Sequence, residues 1–283
     1  LNNYQHSSIQ NLIRNRIQSV TMLSIENLSV EFADKTLLSG INLDFQQGDY
    51  LCILGANGAG KTTLLKTLMG IIKPNTGQIF LHQQNLFTLS QKQLAKQISY
   101  VAQAHNHVLH FKVDEFIKMA RYPYHSGFSD WSKTDQTAFE HAIAVTNTEA
   151  FLSRQITSLS GGERQRVMIS AALCQQTPIL LLDEPSSYLD PHHQVEVHQL
   201  IQVLNQQHNI SIIEVTHDLN HACQRSKHIL ALKQGRCLWY GAATALLEST
   251  ELGQIYDQRF VFTKHPQTGA KIALACEGNG STL

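Results

Sequence analysis

Gly55-Ala56-Asn57-Gly58-Ala59-Gly60-Lys61-Thr62 carries the first chemistry legible in this chain. The spacing is G-x-x-x-x-G-K-[ST]. In it, glycines let successive backbone N–H groups converge on phosphate oxygens, a lysine reaches the outer phosphates, and a hydroxyl faces Mg2+. Thr63 continues the run. A helix opening at the end of such a turn directs its positive end at the same anion. The chemistry implied is the binding of a nucleoside polyphosphate.

A second candidate is Ile179-Leu180-Leu181-Leu182-Asp183-Glu184, an apolar run closed by two acids. Beside a phosphate loop, Asp183 is suited to hold Mg2+, usually through water, and Glu184 to polarise an attacking water. Taken alone, two acids closing an apolar strand are more often a solvated strand end; the phosphate loop upstream favours the metal and catalytic roles. The third is Leu159-Ser160-Gly161-Gly162-Glu163. It reads either as a second anion-binding helix start or as a loop with an N-cap serine, and both readings stand on local chemistry. Two such starts do not easily grip one phosphate from within one chain.

The elements that must position these residues alternate as in an α/β domain. A short apolar strand at 50–54 runs into the phosphate turn, and a helix at 62–69 follows, ending at Gly70. Strands are predicted at 23–32, 41–45 and 78–82, the first two half-buried and antiparallel. Helical spacing at 91–96, 113–121, 134–145 and 161–173 makes the middle mostly α. Strands return at 179–183, 210–216, 228–233 and 237–240, with a helix at 192–205 whose Val197, Leu200, Ile201 and Leu204 share one face. Beyond 240 the pattern predicts a short helix and a strand pair at 260–263 and 271–274.

Composition limits the remaining choices. Apolar residues make up 42% and charged residues 16%, which suits a chain that buries a core. Lys plus Arg equals Asp plus Glu at 22 each, so no global field draws the chain to nucleic acid. The five cysteines are scattered and never form C-x-x-C, which points to a reducing compartment rather than to disulfides or structural zinc. No apolar run approaches the ~20 residues that cross a bilayer. The first 21 residues lack acids and place Ile9, Leu12, Ile13, Ile17 and Val20 at helical spacing; they are read as a loosely ordered extension. His105, His107 and His110 are read as a solvated or partner-contacting loop rather than a metal site.

Taken in order and spacing, the phosphate loop, LSGGERQR and LLLDEP resemble the ATP-binding subunit of ABC transporters over nearly all of 22–240. The resemblance implies a P-loop NTPase with a RecA-like core, an antiparallel β subdomain and an α-helical subdomain at about 104–165, followed by a C-terminal extension at 241–283. It implies two copies facing head to tail, each ATP held between the phosphate loop of one and Ser160, Gly161, Gly162 and Glu163 of the other. It further assigns Phe32 to adenine stacking, Gln103 to sensing of Mg2+ and of the membrane partner, His217 to the γ-phosphate, and 186–190 to communication across the dimer. Without the resemblance, Phe32 reads as a core aromatic, Gln103 as a surface side chain and His217 as an ordinary strand-end histidine. Ala56 and Ala102 stand where many members carry proline. Arg121-Tyr122-Pro123-Tyr124 and the short chain look like the ATPases of iron-siderophore, haem and cobalamin importers. That group works at the cytoplasmic face of the inner membrane with a separate permease and, indirectly, a substrate-binding protein. Zinc or manganese importer ATPases and a soluble scaffold for iron-sulfur cluster assembly are the competing readings. Repair and translation ATPases of the superfamily carry long coiled coils or paired cassettes, neither of which is visible here.

Overall fold

A computed structural model describes residues 21–103, 110–126 and 130–276. Tyr50–Leu54 (β3) is buried at every position, which is why its sequence is apolar without alternation: both faces meet protein. It lies in a sheet with Ile98–Val101 (β6), Ile179–Asp183 (β7), Ser211–Val215 (β8), His228–Lys233 (β9) and Arg236–Ala242 (β10). The strand order is β10-β9-β3-β8-β7-β6, parallel except for the β9–β10 hairpin. Alternate residues feed two cores. Cys52, Leu54, Leu180, Leu182 and Ile212 face one, while Leu51, Ile53, Leu181, Ile213 and Val215 face the other.

The second core is closed by an antiparallel sheet of Thr21–Phe32 (β1), Lys35–Gln46 (β2), Thr76–Leu81 (β4) and Gln84–Asn85 (β5), ordered β2-β1-β4-β5. Between the two sheets lies Lys61–Leu68 (α1), whose Leu64, Leu65 and Leu68 are fully buried. The first core is covered by the helices between β6 and β7. After the short Gln91–Leu94 (α2) that precedes β6, these are Val113–Met119 (α3), Lys133–Thr146 (α4) and Gly161–Cys174 (α5). Arg121, 2% exposed, ties this layer together. Its guanidinium donates to Asp135 Oδ1 at the start of α4 (2.8 Å), and to the Cys174 carbonyl (3.0 Å) and Gln176 Oε1 (2.9 Å) at the end of α5. Burial raises the Asp135 pKa, but hydrogen bonds from Ser132 and Arg121 outweigh it and hold the carboxyl at about 2.

Pro191–Gln206 (α6) follows β7, and Leu219–Arg225 (α7) follows β8. The chain ends its described part with Ala243–Leu246 (α8), Glu251–Tyr256 (α9) and a hairpin of Phe260–Lys264 (β11) and Lys271–Ala275 (β12).

Most predicted elements appear within a few residues of their expected bounds, and the differences have physical causes. β2 begins at Lys35, not Ile41, because it pairs with β1 back to the hairpin turn and absorbs Gly40, at φ +63°, with register shifts along the pair. The sequence pattern predicts neither β6 nor α7. β6 has only four residues and gains its place from parallel pairing with β7, while α7 is set by Asp218, whose carboxylate accepts the His221 N–H (2.8 Å). The segment after β10 holds two short helices rather than one. The expected 1–21 extension lies outside the described residues except Thr21, which already belongs to β1; His105 and His107 also lie outside them. Among the described residues, no helix is long and apolar enough to cross a membrane.

Candidate functional site

The turn between β3 and α1 is possible only with glycine at two places. Gly55 has φ +148°, and a Cβ there would meet the Leu232 carbonyl oxygen at 2.3 Å; Gly60, at φ +105°, would meet the Leu37 carbonyl oxygen at 2.8 Å. The loop is thereby pressed against the backbone of β2 and β9, beside a cleft of about 1100 Å³. Asn57, Gly58, Ala59, Gly60, Lys61, Thr62 and Thr63 line one side of that cleft. Lys61 is 7% exposed and donates to the carbonyls of Gly55 (2.7 Å) and Ala56 (3.1 Å), so the loop backbone holds its ammonium. Burial lowers the Lys61 pKa, opposed by the charges of Glu184 and Asp183.

Those two acids enter from the end of β7, where the parallel neighbour β8 also ends, so Gln103, Asp183, Glu184, Thr216 and His217 converge on the same cleft. Asp183 is buried, and the Tyr100 hydroxyl donates to its Oδ2 at 3.3 Å. Burial and the Asp183 charge push the Tyr100 pKa up, which keeps the phenol protonated as a donor. Glu184 adopts φ +49°, a left-handed conformation uncommon outside glycine, and its N–H donates to the Val215 carbonyl at 2.8 Å. Gln103 Nε2 (2.7 Å) and Ser187 Oγ (2.9 Å) both donate to Glu184 Oε2, and His217 Nδ1 lies 3.5 Å from the same oxygen. Three separate chain segments thus aim one carboxylate into the cleft.

Phe32 is 76% exposed at the β1–β2 turn, which excludes the core-aromatic reading, but it does not line the cleft; Lys35, Thr36 and Leu37 of the same hairpin do. Ser160, Gly161, Gly162 and Glu163 do not line it either. They open α5 through reciprocal hydrogen bonds: Ser160 N–H to Glu163 Oε2 (2.8 Å) and Glu163 N–H to Ser160 Oγ (3.3 Å). The Ser160 N–H, with burial opposing it and Arg154 adding to it, holds the Glu163 carboxyl below its usual range. Gly162 is required by packing, since a Cβ would meet the His193 ring at 2.2 Å. His192 and His193 form a helix start as expected, with Asp190 Oδ1 accepting both backbone N–H groups. The chain therefore brings Lys61, Thr62, Gln103, Asp183, Glu184 and His217 to one cleft and leaves the glycine-rich start of α5 elsewhere.

Sequence reasoning missed the cleft walls made by Lys35, Thr36, Leu37, Gln234 and Gly235. They are brought there by backbone contacts, Gly235 N–H to the Ala59 carbonyl (3.0 Å) and Ser39 N–H to the Gly235 carbonyl (2.8 Å), and carry no spacing signal of their own.

The sequence model of the ABC transporter family matches residues 38–187. The iron(3+)-hydroxamate import ATP-binding protein FhuC of Bacillus subtilis is 34% identical over 89% of this chain and 94% of its own length. Among solved structures, a metal-chelate type ABC transporter in an inward-facing conformation superposes with a TM-score of 0.80 at 27% identity, covering 91% of this chain and 98% of that one. The bacterial ABC transporter cassette MJ0796, in its dimeric structure, superposes with a TM-score of 0.67 at 25% identity, covering 78% and 99%.

Proposed function

The chain belongs to the ABC transporter family as a nucleotide-binding ATPase subunit, and we propose that it hydrolyses ATP between two copies of itself to drive import of an iron chelate. The observation that carries this reading is the division of the site. Gln103, Asp183, Glu184, His217 and the phosphate loop share one cleft, while Ser160 to Glu163 present a second anion-binding helix start away from it. A head-to-tail pair brings the two halves onto one nucleotide, and the dimeric structure of MJ0796 supports that arrangement.

In this reading the loop N–H groups and Lys61 bind the β- and γ-phosphates, and Phe32, exposed on its hairpin, stacks on adenine. Asp183, Thr62 and Gln103 all line the cleft and suit Mg2+, an oxygen-loving cation that would neutralise charge on the phosphates. Glu184 Oε2 takes a proton from the water that attacks the γ-phosphorus, as the bond to the ADP oxygen breaks. His217 donates to the γ-phosphate, and its 3.5 Å approach to Glu184 keeps base and phosphate in register. Ser160, Gly161 and Gly162 of the second copy add N–H groups to the same phosphate.

Iron-chelate transport is supported by the FhuC and metal-chelate transporter relationships; in this reading the chain works at the cytoplasmic face of the membrane beside a permease that receives cargo from a binding protein. A zinc or manganese importer and an iron-sulfur assembly scaffold are outcomes of the test. Affinity purification of the full chain from membranes should retain a multi-span permease, and vesicles holding that complex should accumulate a ferric siderophore on ATP addition. Copurification only with soluble assembly proteins, or accumulation only of zinc or manganese, would overturn the reading.

A further inference from the structure

Behind the wall of the nucleotide cleft, three side chains from three elements meet: His198 of α6, Glu214 of β8 and His221 of α7. Glu214 is completely buried and His221 is 8% exposed, while His198 also lines the cleft. The Tyr50 hydroxyl donates to Glu214 Oε2 and fixes the carboxylate, so that Oε1 faces the histidines. Among the described residues, no hydrogen bond reaches Glu214 Oε1, His221 Nε2 or His198 Nε2; the approach of Glu214 Oε1 to His221 Nε2 is 3.4 Å. The two imidazoles stack with centroids 3.7 Å apart and planes 24° from parallel. One donor atom from each of the three residues lies within 4.8 Å of the others.

Such an arrangement is expensive without a positive charge bound to it; the charge of Arg225 reaches His198 and Tyr50, but among the described residues it makes no ion pair with Glu214. A buried carboxylate and two buried ring nitrogens each lose their hydration, and among the described residues the only ion-pair approach to Glu214 is that of His221. We propose that His198, Glu214 and His221 form a binding site for one divalent transition-metal ion, distinct from the cation held with the nucleotide. Two imidazole nitrogens and one carboxylate oxygen suit Zn2+, Fe2+ or Co2+ and are a poor set for Mg2+ or Ca2+, which favour oxygen alone. Metal–ligand bonds of ~2.0–2.2 Å put neighbouring donors ~3.3 Å apart, so closure moves the outermost donors by about 1 Å, within reach of side-chain rotation that opens the stacked rings. Tyr50 is the outer partner that orients a ligating carboxylate. Entry runs through the nucleotide cleft, whose wall His198 shares with Thr216, His217 and Asp218. The bound ion would therefore tie α6, β8 and α7 together around His217.

The test uses the full chain, freed of metal by a chelator and kept free of nucleotide, titrated with Co2+ and then competed with Zn2+. Expected are one equivalent of Co2+ with the d–d absorption of a histidine-carboxylate site, displacement by one equivalent of Zn2+, and no displacement by a large excess of Mg2+. His198→Gln and His221→Gln should weaken binding by more than ~100-fold, and Tyr50→Phe by about 10–100-fold. His198 is only half-buried, so its variant keeps the test readable if Glu214→Gln fails to fold. A triple variant with glutamine at 105, 107 and 110 should keep the equivalent. Weak binding of several ions, binding unchanged by His198→Gln and His221→Gln, or loss only in the triple variant would each overturn the site. So would a His221 imidazolium, seen by NMR, that excess Zn2+ does not displace; the positive charge would then be a proton.

Discussion

Two crippled copies should rescue each other. Lys61→Ala removes the ammonium that the loop carbonyls hold at the cleft and that the proposed function sets on the phosphates. Ser160→Asp retains a strong helix cap, so α5 should still fold, but puts a negative charge where the partner's γ-phosphate would lie. Each variant alone forms dimers in which both composite sites are damaged. In an equimolar mixture about half the dimers contain one copy of each, and in these both lesions fall on the same site, leaving the other intact; about a quarter of wild-type sites are thus restored. If the sites turn over independently, steady-state phosphate release should recover to about 25% of wild type, with the parents near background. The ratio should follow the product of the two mole fractions, a dependence that separates rescue from contamination. Differently tagged copies allow mixed dimers to be purified, where about half of wild-type turnover per dimer is expected. Purified mixed dimers that release no more phosphate than the parents, and close no intact site on ATP, would refute the division of the site between two chains.

In Glu184→Gln, both hydrogen bonds that end on Oε2 can end on the amide oxygen, so the melting temperature should stay within about 2 °C while kcat falls ~10²–10⁴-fold; an unchanged kcat removes Glu184 as the base. Gly55→Ala adds strain at φ +148° to a 2.3 Å backbone clash, together about 2–5 kcal/mol, which calorimetry should register as a loss of roughly 5–15 °C. Removing one partner of the buried Arg121–Asp135 pair, as in Arg121→Met, should cost about 3–5 kcal/mol in denaturant unfolding, with part recovered in Arg121→Met/Asp135→Asn. Because the Asp135 carboxyl is held at about 2, below its usual 3.8, its contribution is complete above that value and is lost as pH falls towards 2. Asp135→Asn should flatten the acid limb of stability against pH, and an unaltered limb would contradict the assignment.

The chemistry was legible along the chain because it is built from consecutive residues. Gly55 to Thr62, Leu182-Asp183-Glu184 and Ser160 to Glu163 each complete their local geometry within one turn, and the buried strands β3 and β7 announce themselves as short apolar runs. The β2 start, β6 and α7 were harder to see, since their boundaries depend on pairing and capping by residues distant in sequence or only weakly patterned. Tertiary structure alone decided that Glu184 answers to Gln103 and that the turn at Gly235 walls the cleft. It alone stacked His198 on His221 beside Glu214. No spacing encodes such meetings, because the parallel sheet brings the ends of strands together from segments tens of residues apart. Ser160 to Glu163 show the same division from the other side. Their helix start was readable in the sequence, but only folding revealed that it stands away from the cleft, because packing against His193 and Leu189 ties α5 to the start of α6.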